Sequence, residues 1–122
     1  MKNKEFAKEL ELRLRKFALR IIKLSSSLPN TPEHSVVRYQ ISKSGTSVGA
    51  NYREANRARS NADFYNKIKI SETEASETVF WLELINDAEW VTFEKLEPIM
   101  LEANEILAIF TAIARNTKRV KS

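Results

Sequence analysis

Apolar side chains recur along this chain with a helical beat. In the first segment Leu10, Leu14, Phe17, Ile21, Leu24 and Leu28 follow one another at alternating steps of four and three. The second segment repeats the beat with Ile41, Gly45, Val48, Tyr52 and Ala55. The third does so with Phe64, Ile68, Ser71, Ala75, Thr78, Leu82 and Ile85, and the fourth with Phe93, Leu96, Met100, Ala103, Leu107, Phe110 and Ala114. Steps of three and four put side chains on one face of an α-helix, so each row is the buried stripe of an amphipathic helix. The pattern predicts four helices, near 4–28, 32–59, 61–88 and 93–119, in a single domain spanning 1–122. Helices of this length run to roughly 38 Å, and short connections make sequential helices antiparallel neighbours. The predicted fold is all-α, an antiparallel up-and-down four-helix bundle.

The punctuation between the stripes agrees. "SSSLPNTPEH" breaks the first helix at Pro29, and Thr31 reads as an N-cap with Pro32 in the first helical position. Ser60 opens "SNAD", whose Asp63 suits a helix N-terminus. Thr92 opens "TFEKLEP", where Pro98 either removes a hydrogen bond from the first turns or marks the start of the regular helix. The closing "KRVKS" reads as a tail.

Both glycines fall in "SGTSVGANYREA". A phosphate loop needs G-x-x-x-x-G-K-[ST] after a strand, and a dinucleotide fingerprint needs G-x-G-x-x-G. The spacing here is G-x-x-x-G, with no lysine after Gly49. As part of a helix, Gly45 lies on the buried stripe and Gly49 lies one turn on, beside Val48 and Tyr52. Gly45, Gly49 and Tyr52 therefore predict a helix-packing notch. A mid-helix glycine costs about 1 kcal/mol against alanine. A Phe or Trp of a neighbouring helix filling the notch is the expected compensation.

Composition narrows the chemistry. With 122 residues, 43% of them hydrophobic and 30% charged, the chain can bury a real core. It has no cysteine, which removes disulfides, thiolate metal sites and cysteine nucleophiles and fits a cytoplasmic protein. The charged N-terminus lacks the apolar core of a signal peptide. The longest apolar run, 106–114, is about half of the roughly 20 residues of a membrane span, so no membrane role is expected. The one histidine, His34, stands at a helix start without the Glu-x-x-His spacing of a di-iron bundle or a partner for a hydrolytic triad. No catalytic residue, metal or cofactor is expected.

Charge is more informative. The net charge is +4, but residues 1–60 carry 13 Lys/Arg against 5 Asp/Glu, a net +8, and residues 61–122 carry 7 against 11, a net −4. Arg13, Lys16, Arg20 and Lys23 step by three, four and three along the first helix, so they share a face. Arg53 and Arg57 follow on the second, with Arg59 at its end. These seven residues are the predicted nucleic-acid-binding surface, acting on the phosphate backbone rather than on base edges. The third and fourth helices carry more apolar surface than one bundle core needs. Phe80, Trp81 and Leu84, with Ile106 and Ile113 in a second stripe, are the predicted oligomer interface.

Three stretches carry a family resemblance. "FALRIIKLSSSLP", "SGTSVGANYREANRARSNADF" and "ETVFWLELI" resemble the 23S rRNA-intervening-sequence proteins, over nearly the whole chain. The resemblance implies small antiparallel bundles assembled into ring-like homopentamers, with no enzymatic activity. The family is also similar to the accessory protein of diversity-generating retroelements, a basic pentamer associated with nucleic acid and a reverse transcriptase. In such a ring, five chains of +4 would carry about +20 in all. The expectation is a non-enzymatic, homo-oligomeric accessory protein associated with RNA or DNA, RNA first. Its expected partners are itself, nucleic acid and a nucleic-acid enzyme. The alternative is a structural or protein-interaction scaffold whose charge halves serve assembly.

Overall fold

The computed structural model describes residues 2–119 and contains four helices: α1 (Lys2–Ser27), α2 (Pro32–Ala55), α3 (Asn61–Asp87) and α4 (Phe93–Arg119). Of the expected tail, Lys118 and Arg119 still belong to α4, and 120–122 lie outside the described residues. The helices start where the capping chemistry says they should. Thr31 is extended and its side chain accepts from the His34 amide, with Pro32 in the first turn. Ser60 is extended and accepts from the Asp63 amide.

The end of α2 is four residues earlier than the predicted 59. The amides of Arg57 and Ala58 fall back to the Glu54 and Ala55 carbonyls. This tightened i−3 pattern closes a helix rather than extending it. Arg57 and Arg59 thus stand in the α2–α3 connection, not on a helical face. At the other end, α3 closes with Glu89 in the left-handed region, φ 58°. The Trp90 amide bonds the Ile85 carbonyl and the Glu89 amide bonds the Asn86 carbonyl, the double bond set of a Schellman cap. Pro98 lies inside α4 rather than before it. It is solvent-facing, so the carbonyl one turn back that it leaves without a partner faces water instead of the core.

Contacts between helices run in opposite residue order. Gly45, Gly49 and Arg53 of α2 meet Ile21, Leu14 and Glu11 of α1. Val48 and Ser44 of α2 meet Ser71 and Thr78 of α3. Sequential helices are therefore antiparallel. The three sequential pairs pack closely, whereas α1 and α4 touch only sparsely.

The core holds Leu14, Phe17 and Ile21 of α1, Ile41 and Val48 of α2, Ile68, Leu82 and Ile85 of α3, and Leu96, Ile106 and Phe110 of α4. The α4 stripe keeps its predicted Leu96, Ala103, Phe110 and Ala114 but shifts locally at three positions. Phe93, its expected first member, is 53% exposed, while Ile99 and Ile106 are buried and Met100 and Leu107 only partly so. Two adjacent apolar rows compete for the core on this helix, and Ile99 and Ile106 displace Met100 and Leu107. The α2–α3 seam is polar as well as apolar: the Ser71 hydroxyl donates to the Val48 carbonyl at 2.9 Å, and the Thr78 and Ser44 hydroxyls lie 2.9 Å apart. Tyr52 is buried with its ring edge-on to Phe110, 5.5 Å between centroids, which joins α2 to α4 across the bundle.

The glycine notch is filled, but not by an aromatic ring. A Cβ on Gly45 would stand 2.8 Å from Ile21 Cγ2, and one on Gly49 would stand 3.1 Å from Leu14 Cβ. The occupants are aliphatic because the core stripe of α1 presents Leu14 and Ile21 at that height.

Candidate nucleic-acid interface

The first helix divides its charges between two directions. Arg13 turns toward α4, where its Nε and one Nη each donate to a Glu102 oxygen at 2.7 Å, and the Nη also reaches Glu105. This bidentate pair spans the sparse α1–α4 seam. The hydrogen bonds from Arg13 hold the Glu102 carboxyl below the ordinary carboxylate range, against partial desolvation, and Arg20 adds to the same field. The two carboxylates in turn push the Arg13 guanidinium up. Arg13 is thus a clamp within the bundle. It does not belong with the phosphate-binding candidates, because a guanidinium already forked onto a carboxylate has little left to offer a phosphate.

Lys16, Arg20 and Lys23 remain exposed, and none has an ion-pair partner among the described residues. The sequence reading missed that this face continues. Lys8, Leu12, Arg15, Leu19 and Ile22 step by four, three, four and three, half a turn from the buried stripe, and all five are exposed. The same beat that revealed the core would have found them, applied to the opposite phase. The outward side of α1 is therefore a row of cations interleaved with aliphatic side chains. From Lys8 to Lys23 it runs about 22 Å at 1.5 Å per residue.

The other three candidates lie at one end of the molecule. Arg53 is 3.8 Å from Glu11, which also accepts from Asn56 at 2.8 Å. Arg57 and Arg59 are exposed in the connection just beyond. Lys4 and Lys8 share a shallow cleft with Glu11 and Asn56 at that same end. The seven predicted residues thus separate into an outward group on α1, an end group around the α2–α3 connection, and Arg13, which is withdrawn.

The predicted interface residues separate too. Phe80 (54% exposed) and Leu84 point outward on α3, on the same side as Ile70. Trp81 and Ile113 are half-buried against the protomer's own core. Ile106 is 0% exposed. It is a core residue and cannot carry a contact between subunits, because it packs inside the bundle beside Ala103 and Phe110 on the buried stripe of α4.

His34 is held by its own protomer. His34 Nδ1 lies 2.6 Å from the capping Thr31 hydroxyl, and its ring lies against Trp90 with centroids 3.9 Å apart. Among the described residues no group of three or more His, Cys, Asp or Glu is arranged to hold a metal ion, and no helix is long and apolar enough to cross a membrane.

Comparison with known proteins places the chain beside a family model and solved structures. The family model of the 23S rRNA-intervening sequence protein matches residues 9–112. The chain is also similar to a crystal structure from Bacteroides thetaiotaomicron VPI-5482, described as a protein with unknown function from the S23 ribosomal protein family. That similarity is 40% identity with a TM-score of 0.82, over 89% of this chain and 97% of that one. No curated protein matches.

Proposed function

Because the chain belongs to the 23S rRNA-intervening sequence protein family, we propose that it is a non-enzymatic accessory protein that associates with RNA through the outward face of α1. The observation that carries this reading is the row of exposed cations without carboxylate partners, Lys8, Arg15, Lys16, Arg20 and Lys23. Such a row neutralises phosphates and releases their counterions, a contribution that is independent of sequence and strongly salt-dependent. Self-association multiplies it, because each added copy brings another row. The outward apolar side chains Ile70, Phe80 and Leu84 on α3 support association of protomers, most simply as a ring.

The freshly purified protein tests both parts. The absorbance ratio at 260 and 280 nm reports carried nucleic acid, and light scattering reports the mass. A protein-like ratio that persists at low salt, with no gel shift of RNA, would remove the RNA reading and leave a structural scaffold. A monomer mass would remove the assembly.

A further inference from the structure

A second polar feature lies on the α1–α2 side of the molecule, at the end where α1 closes. Ser25 at the end of α1 and Ser35, Arg38, Tyr39 and Ser42 of α2 line a shallow cleft of about 290 Å³. It contains one cation, four hydroxyls and no carboxylate. The Ser25 hydroxyl is already spent, donating to the Arg38 carbonyl at 3.2 Å, and this fixes the α1 wall of the cleft. The Arg38 guanidinium is under-used. Its Nε is enclosed without a hydrogen-bond partner, and its Nη1 has only a long bond, 3.3 Å, to Asn30 Oδ1. No acidic side chain pairs with it among the described residues. Beside it the Tyr39 ring is 64% exposed, an aromatic surface left to solvent next to a cation.

A guanidinium, hydroxyl donors and a free aromatic face are the parts with which proteins hold single-stranded nucleic acid: a phosphate on the cation, a base on the ring. A duplex cannot use the ring, because its base faces are stacked away. Farther along the α1–α2 side the lining changes to Arg15, Arg53, Glu11 and Glu54. There Glu11 pairs with Arg53 at 3.8 Å and carboxylates share the lining, unlike the Arg38 end.

We propose that the Arg38–Tyr39 cleft is a single-strand RNA subsite, in which Arg38 with the Ser35 and Ser42 hydroxyls takes a phosphodiester and Tyr39 stacks on the adjoining base. The proposal rests on the RNA reading of the α1 face and adds to it a preference for single strands.

The test is fluorescence anisotropy of the full chain at low salt with a labelled single-stranded RNA of mixed sequence and a blunt duplex of equal length. The variants are Arg38→Ala, Tyr39→Ala, Tyr39→Phe and a Lys16→Ala/Lys23→Ala pair, each checked for native helicity. Arg38→Ala and Tyr39→Ala are expected to weaken single-strand binding on the order of tenfold each, with less than twofold change on the duplex. Tyr39→Phe keeps the ring and is expected to bind like the native chain. Lys16→Ala/Lys23→Ala is expected to weaken both RNAs alike. If Arg38→Ala and Tyr39→Ala bind the single strand like the native chain while the lysine pair weakens it, the subsite is wrong and the α1 reading stands. Equal losses on strand and duplex also overturn the subsite. A native chain that binds neither RNA overturns both.

Discussion

Replacing Gly45 with alanine sets two effects of known size against each other. Alanine gains about 1 kcal/mol over glycine in a helix interior. Its Cβ, however, would stand 2.8 Å from Ile21 Cγ2, 3.0 Å from Cγ1 and 3.1 Å from Cβ, where carbon contacts prefer about 3.5–4.0 Å. Ile21 is fully buried, and β-branching leaves it one strongly preferred rotamer in a helix. The strain must therefore go into separating α1 from α2 or into an off-rotamer isoleucine, at about 1–3 kcal/mol. The balance is a net loss of about 1 kcal/mol, within a range of about 0–2. Gly49→Ala meets a single close atom, Leu14 Cβ at 3.1 Å, with the next at 3.7 Å. It should fall between neutral and about 1 kcal/mol stabilising. Urea unfolding at constant m reads both. The decisive arm is Gly45→Ala in an Ile21→Ala background. The 2.8 and 3.0 Å contacts are gone there and only the Cβ of residue 21 at 3.1 Å remains, so the substitution should become neutral to stabilising, with a coupling of about 1–3 kcal/mol. If Gly45→Ala stabilises the native background as much as it stabilises Ile21→Ala, the close-contact account of this glycine is refuted.

Other consequences follow from the caps, the clamp and the polar seam. Glu89→Gly should raise stability by about 0.5–1 kcal/mol in the same urea assay, because it removes a left-handed non-glycine residue from a Schellman cap. Thr78→Val should cost about 1 kcal/mol by removing the donor to the buried Ser44 hydroxyl, which keeps only its long 3.4 Å bond to the Ile41 carbonyl. The Glu102 carboxyl is held low by Arg13, so its contribution is in place above the ordinary carboxylate value and is lost as pH falls through the lowered folded value. The stability gap between the native chain and Glu102→Gln should accordingly close on acidification, read as urea midpoints across pH. Glu74 is pushed up, first by desolvation and then by Glu77. Glu74→Gln should therefore stabilise at neutral pH, and the gain should fade as pH falls through the raised folded value and vanish below the ordinary one.

The periodicity of the sequence carried most of the fold, and where it failed the physical reason can be named. The α1 stripe was readable because no second apolar row lies beside it. On α4, Ile99 and Ile106 run one residue out of phase with Met100 and Leu107, and only packing against α3 decides which row goes inside. The α2 terminus was marked by Asn56 and Ser60, but "NRARS" has no glycine or proline to announce it. The clamp between Arg13 and Glu102 joins residues 89 apart in sequence. Helical spacing puts Arg13 on a face with Lys16, Arg20 and Lys23, but it cannot say which neighbour that face meets. Arg38 was legible only as a charge away from the core, since its enclosed Nε depends on how α1 ends against α2.

The claim that the outward face of α1 holds RNA is tested most directly by the salt dependence of RNA affinity. For a single strand the slope of log K against log salt is about −0.7 per phosphate neutralised. Changing Lys16, Arg20 and Lys23 together to alanine should flatten the slope by about 2 for each protomer engaged. Arg13→Ala, which opens the clamp, should lower stability and leave the slope unchanged. A slope near zero for the native chain, or one that the triple substitution leaves as steep, would contradict the account.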